Sequence, residues 1–184
     1  MKSTIRPLGT ALIVVAAAAA ILWLMGRPPL YKGGLVDLWG PVGPKQSQMI
    51  ADWYSASHLV HGFLFYGLLH LVARRMKVEQ RLVIATLFEA AWELVENSPV
   101  IIARYREATI ALGYNGDTIL NSVSDITMMA IGFMVARRVP LWASAMIVLV
   151  LELVPLAIIR DNLTLNVWML LAPNDALRSW QAGA

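Results

Sequence analysis

The chain has 184 residues, of which 58% are hydrophobic and only 15% charged, with a mean hydropathy of +0.61; soluble domains carry roughly a quarter charged residues, so this composition points to a membrane. The net charge of +3 does not argue for nucleic acid, because the bases sit in short clusters between apolar runs and not in a stripe interleaved with aromatics. With no cysteine, a disulfide framework, a thiolate nucleophile and a Cys-based metal centre are excluded, and any metal must be held by His, Asp and Glu.

Five apolar segments follow in chain order, at about residues 8–25, 55–73, 82–102, 117–136 and 140–159, each near the roughly 20 residues that cross a bilayer. The first carries Ala16 to Ala20 in mid-run and then Ile21-Leu22-Trp23-Leu24-Met25, with no small-residue cleavage site behind it; it reads as an uncleaved anchor. A Gly/Pro-rich loop runs from Gly26 to about Ser47. Gln46 to Tyr54, with Met49, Ile50, Trp53 and Tyr54, predicts a short helix lying in the interface with its aromatics at headgroup depth. The second and third segments are joined around Arg74, Arg75, Lys77 and Arg81, the third and fourth by a loop around Arg104 to Gly116, and the fifth closes behind Pro140. Leu163 to Leu171 is apolar but too short to cross, which puts a second interfacial helix at the carboxyl terminus.

The expected architecture is therefore all-α: one integral membrane domain over residues 1–184, a polytopic bundle of about five transmembrane helices with short interfacial helices before the second span and at the carboxyl terminus. Lys2 and Arg6, the Arg74 to Arg81 cluster, and Arg137 with Arg138 fall on one side if every segment crosses. The positive-inside rule makes that side cytoplasmic. The expected location is the bacterial inner membrane, with the amino terminus in the cytoplasm and the carboxyl terminus in the periplasm.

Three of these segments carry a polar face. Glu89, Glu93 and Glu96 fall within an arc of about 60° on a helix that turns about 100° per residue, with Asn97 at its edge. No Lys or Arg occurs in residues 82–103 to balance them, although each charge costs roughly 2.5–3.5 kcal/mol at a helix centre. Asp117, Asn121, Ser124 and Asp125 share one side of the fourth segment, and His58 and His61 lie one turn apart on the second, with Tyr54 on the same face. At 1.5 Å of rise per residue, His61, Asn121, Asp125, Glu93, Glu96 and Glu152 reach comparable levels in the outer half, while Glu89 lies deeper. Since intramembrane charges face the bundle interior or a wet cavity, these faces are expected to meet in a pocket that opens outward. Protons shared between carboxylates, His61, a bound cation, or Arg104, Arg106 or Arg160 folding back are the available means of neutralising the glutamates. Each group also has a plain role: Asp117 follows a turn and suits a helix cap, the histidines and Asn121 suit hydrogen bonds between helices, and Arg160-Asp161 suits a pair at the outer rim.

The run Ser47-Gln48, Asp52 to His58, His61 to Tyr66, Trp92-Glu93-Leu94, Glu96-Asn97-Ser98-Pro99, Arg104-Tyr105-Arg106, Tyr114, Gly116-Asp117 and Asn121 to Asp125 resembles an uncharacterised family of short bacterial multi-pass inner-membrane proteins, over about residues 35–138. A looser likeness is to the VanZ-like membrane proteins of teicoplanin resistance. The resemblance implies a multi-pass inner-membrane protein and supplies no activity.

Function then rests on the residues. The candidate catalytic residues are Glu93, Glu96, Asp125 and Asn121, and the candidate metal ligands are His58, His61, Glu93 and Glu96. Imidazole and carboxylate suit a divalent metal, the only cofactor these residue types suggest. The leading expectation is an intramembrane hydrolase or transferase whose partners are the lipid bilayer and a lipid or lipid-linked substrate, with no nucleic acid. A proton- or ion-coupled transporter and a non-enzymatic membrane assembly partner are the alternatives.

Overall fold

A computed structural model describes residues 2–110 and 113–183, the side chains of residues 2–6 excepted. The side chains of Lys2 and Arg6, and residues 111–112 of the expected outer loop, lie outside the described residues. Among the described residues the chain is helical, with eight helices: α1 Lys2–Leu24, α2 Ser55–Val72, α3 Val78–Glu96, α4 Pro99–Ala108, α5 Ile119–Ala136, α6 Leu141–Ile159, α7 Leu163–Leu171 and α8 Asp175–Ala182. Three of them, α1 from Pro7, α5 and α6, are long and apolar enough to cross a membrane, which marks the chain as a membrane protein. Helices α2 and α3 match them in length, 18 and 19 residues, but carry the His and Glu residues that lower their apolarity.

The expected third span over about residues 82–102 is corrected to two elements. Helix α3 stops at Glu96, and Ser98 begins a new helix by accepting a hydrogen bond from the Ile101 amide, with Pro99 in the first turn. Proline there needs no amide partner and cannot continue the helix before it. Much of the expected Arg104–Gly116 loop is accordingly α4 as far as Ala108.

The interfacial helix expected at Gln46–Tyr54 is also corrected. That segment is turns and a two-residue strand, β2 (Ala51–Asp52), paired in parallel with β1 (Trp39–Gly40). Its backbone finds partners elsewhere: the Asp52 carboxylate accepts from the amides of Ser47 and Tyr54, the Ser47 carbonyl takes the Thr118 amide, and the Met49 carbonyl takes the Asn121 side chain. Ser47 itself sits at φ 60°, a left-handed conformation that breaks a helix. The carboxyl-terminal part is helical as expected, in two pieces, α7 and α8.

Helices α2, α3 and α5 form the centre, with α1 against α3 and α5 and α6 against α2. The closest approach is between α2 and α5. A Cβ on Gly62 would fall 2.2 Å from the Met129 carbonyl oxygen, and one on Gly132 would fall 2.1 Å from that of Leu59. The two backbones therefore touch, because a glycine on each helix lets the axes approach closely. Toward the α2–α3 turn this centre is dry, filled by Leu69, Leu82, Ala85, Met129 and Phe133. At the other end the start of α2, the finish of α3 and the start of α5 converge, and the polar residues lie there.

Candidate functional site

Helical periodicity brings Glu89, Glu93 and Glu96 to one face of α3, and each meets a different environment. Deepest is Glu89, fully buried. Its Oε1 lies 2.6 Å from His58 Nδ1 and 3.0 Å from His61 Nδ1, and its Oε2 3.1 Å from His61 Nδ1. A carboxylate at both Nδ1 positions orients both rings and leaves each Nε2 as the acceptor. The two rings pack edge to face at 5.3 Å.

One turn up, Glu93 is 1% exposed, and neither of its carboxylate oxygens has a hydrogen-bond partner among the described residues. Its Oε1 is 3.7 Å from His58 Nδ1, while His58 Nε2 is 3.7 Å from Asp125 Oδ2. Asp125 also faces the Ser55 hydroxyl at 3.4 Å. His58 thus stands between three carboxylates from two helices.

Glu96, at the end of α3, accepts from the Tyr105 hydroxyl at 2.8 Å. Beside it, Asp117 precedes α5 and points into the same space. Asn97 donates to its Oδ2 at 2.7 Å and accepts from its amide at 2.7 Å, and the Tyr114 hydroxyl donates to its Oδ1. Burial lifts the Asp117 carboxyl to about 6, because a low-dielectric surrounding disfavours the charged form. Asp52, at the mouth, is raised for the same reason, against the amides it accepts from. Thr118, not Asp117, caps α5, its hydroxyl accepting from the Asn121 amide.

These groups enclose a cavity of about 220 Å³. His58, His61, Glu96, Asn121 and Asp125 line it, as do Tyr54, Tyr105, Tyr114, Asp117 and Asp52 at its upper wall. Of the residues singled out in the sequence, Glu93 sits behind this lining, and Asn121 spends its side-chain amide on the Met49 carbonyl. The four expected metal ligands divide: His58 and His61 share Glu89, while Glu93 lies near His58 on one side and within a group with Glu96 and Asp117 on the other.

The arginines do not neutralise the glutamates. Arg104 donates to the Leu170 carbonyl, Arg106 to Tyr114 and Asn115, and Arg160 to the Trp180 carbonyl. Nor do Arg160 and Asp161 pair at the rim as expected: Asp161 is buried, accepting from Tyr54, Gln181 and the Asn162 amide. Glu152 leaves the cluster too, capping α7 through the amides of Leu163 and Thr164 and the Thr164 hydroxyl.

Sequence reasoning gave no role to Tyr105, Tyr114, Asn166 and Trp92, which complete the wall. Tyr105 lies on α4 beyond the Pro99 break, and only the tertiary fold returns it to Glu96, with Asn166 Oδ1 3.0 Å from the same hydroxyl. The recurrence of Tyr beside Asp and Arg, as Arg104-Tyr105-Arg106 and Tyr114 before Asp117, was the available signal.

The profile of the protein family described as "Protein of unknown function (DUF2585)" matches residues 22–183, a stretch that takes in every residue of the cavity. The chain belongs to the DUF2585 family. Among the relatives of this DUF2585 chain, a "UPF0314 protein" of Sphingopyxis alaskensis is 52% identical over 172 residues, 92% of each chain. A "UPF0314 protein" of Paracoccus denitrificans is 53% identical over 175 residues, 94% of this chain and 90% of the relative. One of Agrobacterium fabrum is 49% identical over 180 residues, 97% of this chain and 91% of the relative. No solved structure matches this DUF2585 chain.

Proposed function

We propose that this DUF2585 chain is a multi-pass inner-membrane enzyme, a hydrolase or transferase acting from the outer leaflet on a lipid or lipid-linked substrate. In this reading α1, α2, α3, α5 and α6 all cross the bilayer. Helices α2 and α3 are too polar to do so alone but are shielded by α1, α5 and α6. The basic turns around Arg74 to Arg81 and at Arg137 and Arg138 then face the cytoplasm, and the cavity opens to the periplasm.

The observation that carries the proposal is the cavity with a histidine pair fixed by one buried carboxylate. Glu89 accepts from both Nδ1–H groups, so His61, which lines the cavity, offers Nε2 as a general base. It would take a proton from water in a hydrolase, or from an acceptor hydroxyl in a transferase. Glu96, which also lines the cavity and accepts from the Tyr105 hydroxyl, would in its protonated form give a proton to the leaving oxygen. Asn121 positions the Met49 turn that closes the rim.

The substrate class follows from the neighbouring groove. An apolar groove of about 350 Å³ lies between Trp39, Trp53, Met128, Val150 and Pro155, and Asp52 and Ser55 line it too. Asp52 borders both spaces. An amphiphile with its acyl chain in the groove and its head group in the polar cavity fits both chemistries. Transport is less well supported, since the apolar cluster of Leu69, Leu82, Ala85, Met129 and Phe133 closes the path below the histidines.

The test is a deletion strain whose extracted lipids and lipid-linked intermediates are compared by mass spectrometry with those of the complemented strain. A species that accumulates on deletion, disappears with the wild-type gene and persists with His61→Gln or Glu96→Gln at normal membrane levels is the expected result. An unchanged lipid profile, or full rescue by both variants, overturns the reading.

A further inference from the structure

We propose that His58, Glu93 and Asp125 bind one divalent transition-metal cation. One ligand atom from each residue lies within 4.8 Å of the other two. His58 Nε2 lies 3.7 Å from Asp125 Oδ2, and Glu93 Oε1 lies 3.7 Å from the other nitrogen of the same ring, Nδ1, so the Glu93 carboxylate swings toward Nε2 for all three to share one ion. Donors about 2.0–2.2 Å from a shared ion stand about 3–4 Å from one another.

Three groupings of His, Asp and Glu among the described residues have suitable spacing, and hydrogen bonding separates them. In the first, His58 with His61 and Glu89, both oxygens of Glu89 already accept from the imidazoles. In the second, Glu93 with Glu96 and Asp117, Tyr105 occupies Glu96, and Asn97 and Tyr114 occupy Asp117. The third is different. Glu93 is 1% exposed with both oxygens bare among the described residues, Asp125 has only a long contact at 3.4 Å from Ser55, and His58 keeps Nε2 free because Nδ1 is engaged by Glu89.

That last arrangement is the support a metal-binding histidine ordinarily has, a carboxylate on one ring nitrogen and the metal on the other. It gives Glu89 the role of positioning His58. One neutral imidazole and two carboxylates suit Mn²⁺, Fe²⁺ or Zn²⁺ better than Mg²⁺. Two carboxylates and a divalent ion sum to zero charge, which suits a site walled off from water. His61 is outside this set and remains the base. The ion's use in catalysis rests on the enzymatic reading above; its binding does not.

The full chain, purified in detergent and dialysed against chelator, is offered Mn²⁺, Fe²⁺, Zn²⁺ or Mg²⁺ separately, desalted, and analysed for metal by mass spectrometry. About one equivalent of a transition ion, and none of Mg²⁺, is expected. Glu93→Gln and Asp125→Asn, close in shape to the native residues, should each weaken binding by about 10-fold or more, and Glu79→Gln, on the first turn of α3, should leave it unchanged. Loading with Co²⁺ gives a readout on the wild type alone: visible absorption that Zn²⁺ removes. Absence of stoichiometric ion and of that absorption in the wild type, or full occupancy in both variants, overturns the site. A metal-free chain whose lipid phenotype still needs His61 sinks the ion and keeps the enzyme. A loaded chain whose deletion changes no lipid does the reverse.

Discussion

Glu89 Oε1 lies 2.6 Å from His58 Nδ1 and 3.0 Å from His61 Nδ1, so a single buried carboxylate on α3 holds both imidazoles of α2. The deepest of the three glutamates is thus the best satisfied, and it ties α3 to α2 where no Lys or Arg is available. Removing the carboxylate leaves two imidazole N–H donors without a partner, and an unsatisfied buried donor costs about 1–3 kcal/mol. Glu89→Ala should therefore lower the thermal unfolding midpoint in detergent far more than Glu89→Gln, which keeps an acceptor for one ring. Equal midpoints for Glu89→Ala and wild type would show that the pair does not hold the helices.

The contact between α2 and α5 makes a second prediction. At Gly62 and Gly132 an added Cβ meets backbone oxygen at 2.2 and 2.1 Å, and backbone cannot rotate away as a side chain can. Gly62→Ala and Gly132→Ala should each force the helices apart, lose about 2 kcal/mol or more by analogy with overpacked cores, and reduce the amount of protein recovered from membranes. Gly67, on the same helix as Gly62 with nothing within 4 Å of its added Cβ, is the control. Gly67→Ala should be neutral or gain up to about 1 kcal/mol from helix propensity.

The helical architecture and the meeting of the three polar faces were legible because they depend on period and length. His58 and His61, Glu89 to Glu96, and Asn121 with Asp125 each lie on one face by the 3.6-residue repeat, whatever packs against them. What period cannot give is which partner each group takes. Hydropathy alone carried the third span through Asn97-Ser98-Pro99, where a cap and a proline end one helix and begin another. It also made Gln46–Tyr54 a helix, although Asp52 and Asn121 claim its backbone groups across 5 and 72 positions of sequence. Glu152 was grouped with the cavity by depth, yet it lies on α6 and turns to the amides of α7.

Glu152 supplies a third prediction. Its carboxylate accepts from the Leu163 and Thr164 amides, at 3.1 Å each, and from the Thr164 hydroxyl. A negative side chain at a helix N-terminus satisfies orphan donors and meets the positive end of the helix dipole. Glu152→Ala should cost about 1 kcal/mol, concentrated in α7, so hydrogen exchange across residues 163–171 should quicken while α2 and α5 are unchanged. Uniform quickening throughout the chain would make Glu152 a general stabiliser and not a cap.

Asp117 makes the fourth prediction, on pH. Burial raises its carboxyl from 3.8 to about 6, with Asn97 and Tyr114 bonded to it and Asp52, His58 and the adjacent Glu93 and Glu96 among the titratable groups around it. Between those values the folded chain holds a proton that the unfolded chain has released. The contribution of Asp117 to stability is therefore fully present at and below about pH 4 and is lost as pH rises through about 6. The amide of the Asp117→Asn variant cannot titrate, so the stability of wild type relative to that variant should fall steadily from about pH 4 to about pH 7 and then level. Chemical denaturation in micelles at half-unit pH steps measures the difference directly. A difference that stays flat over this range, or rises with pH, would mean that Asp117 is solvated and not enclosed by Asn97 and Tyr114.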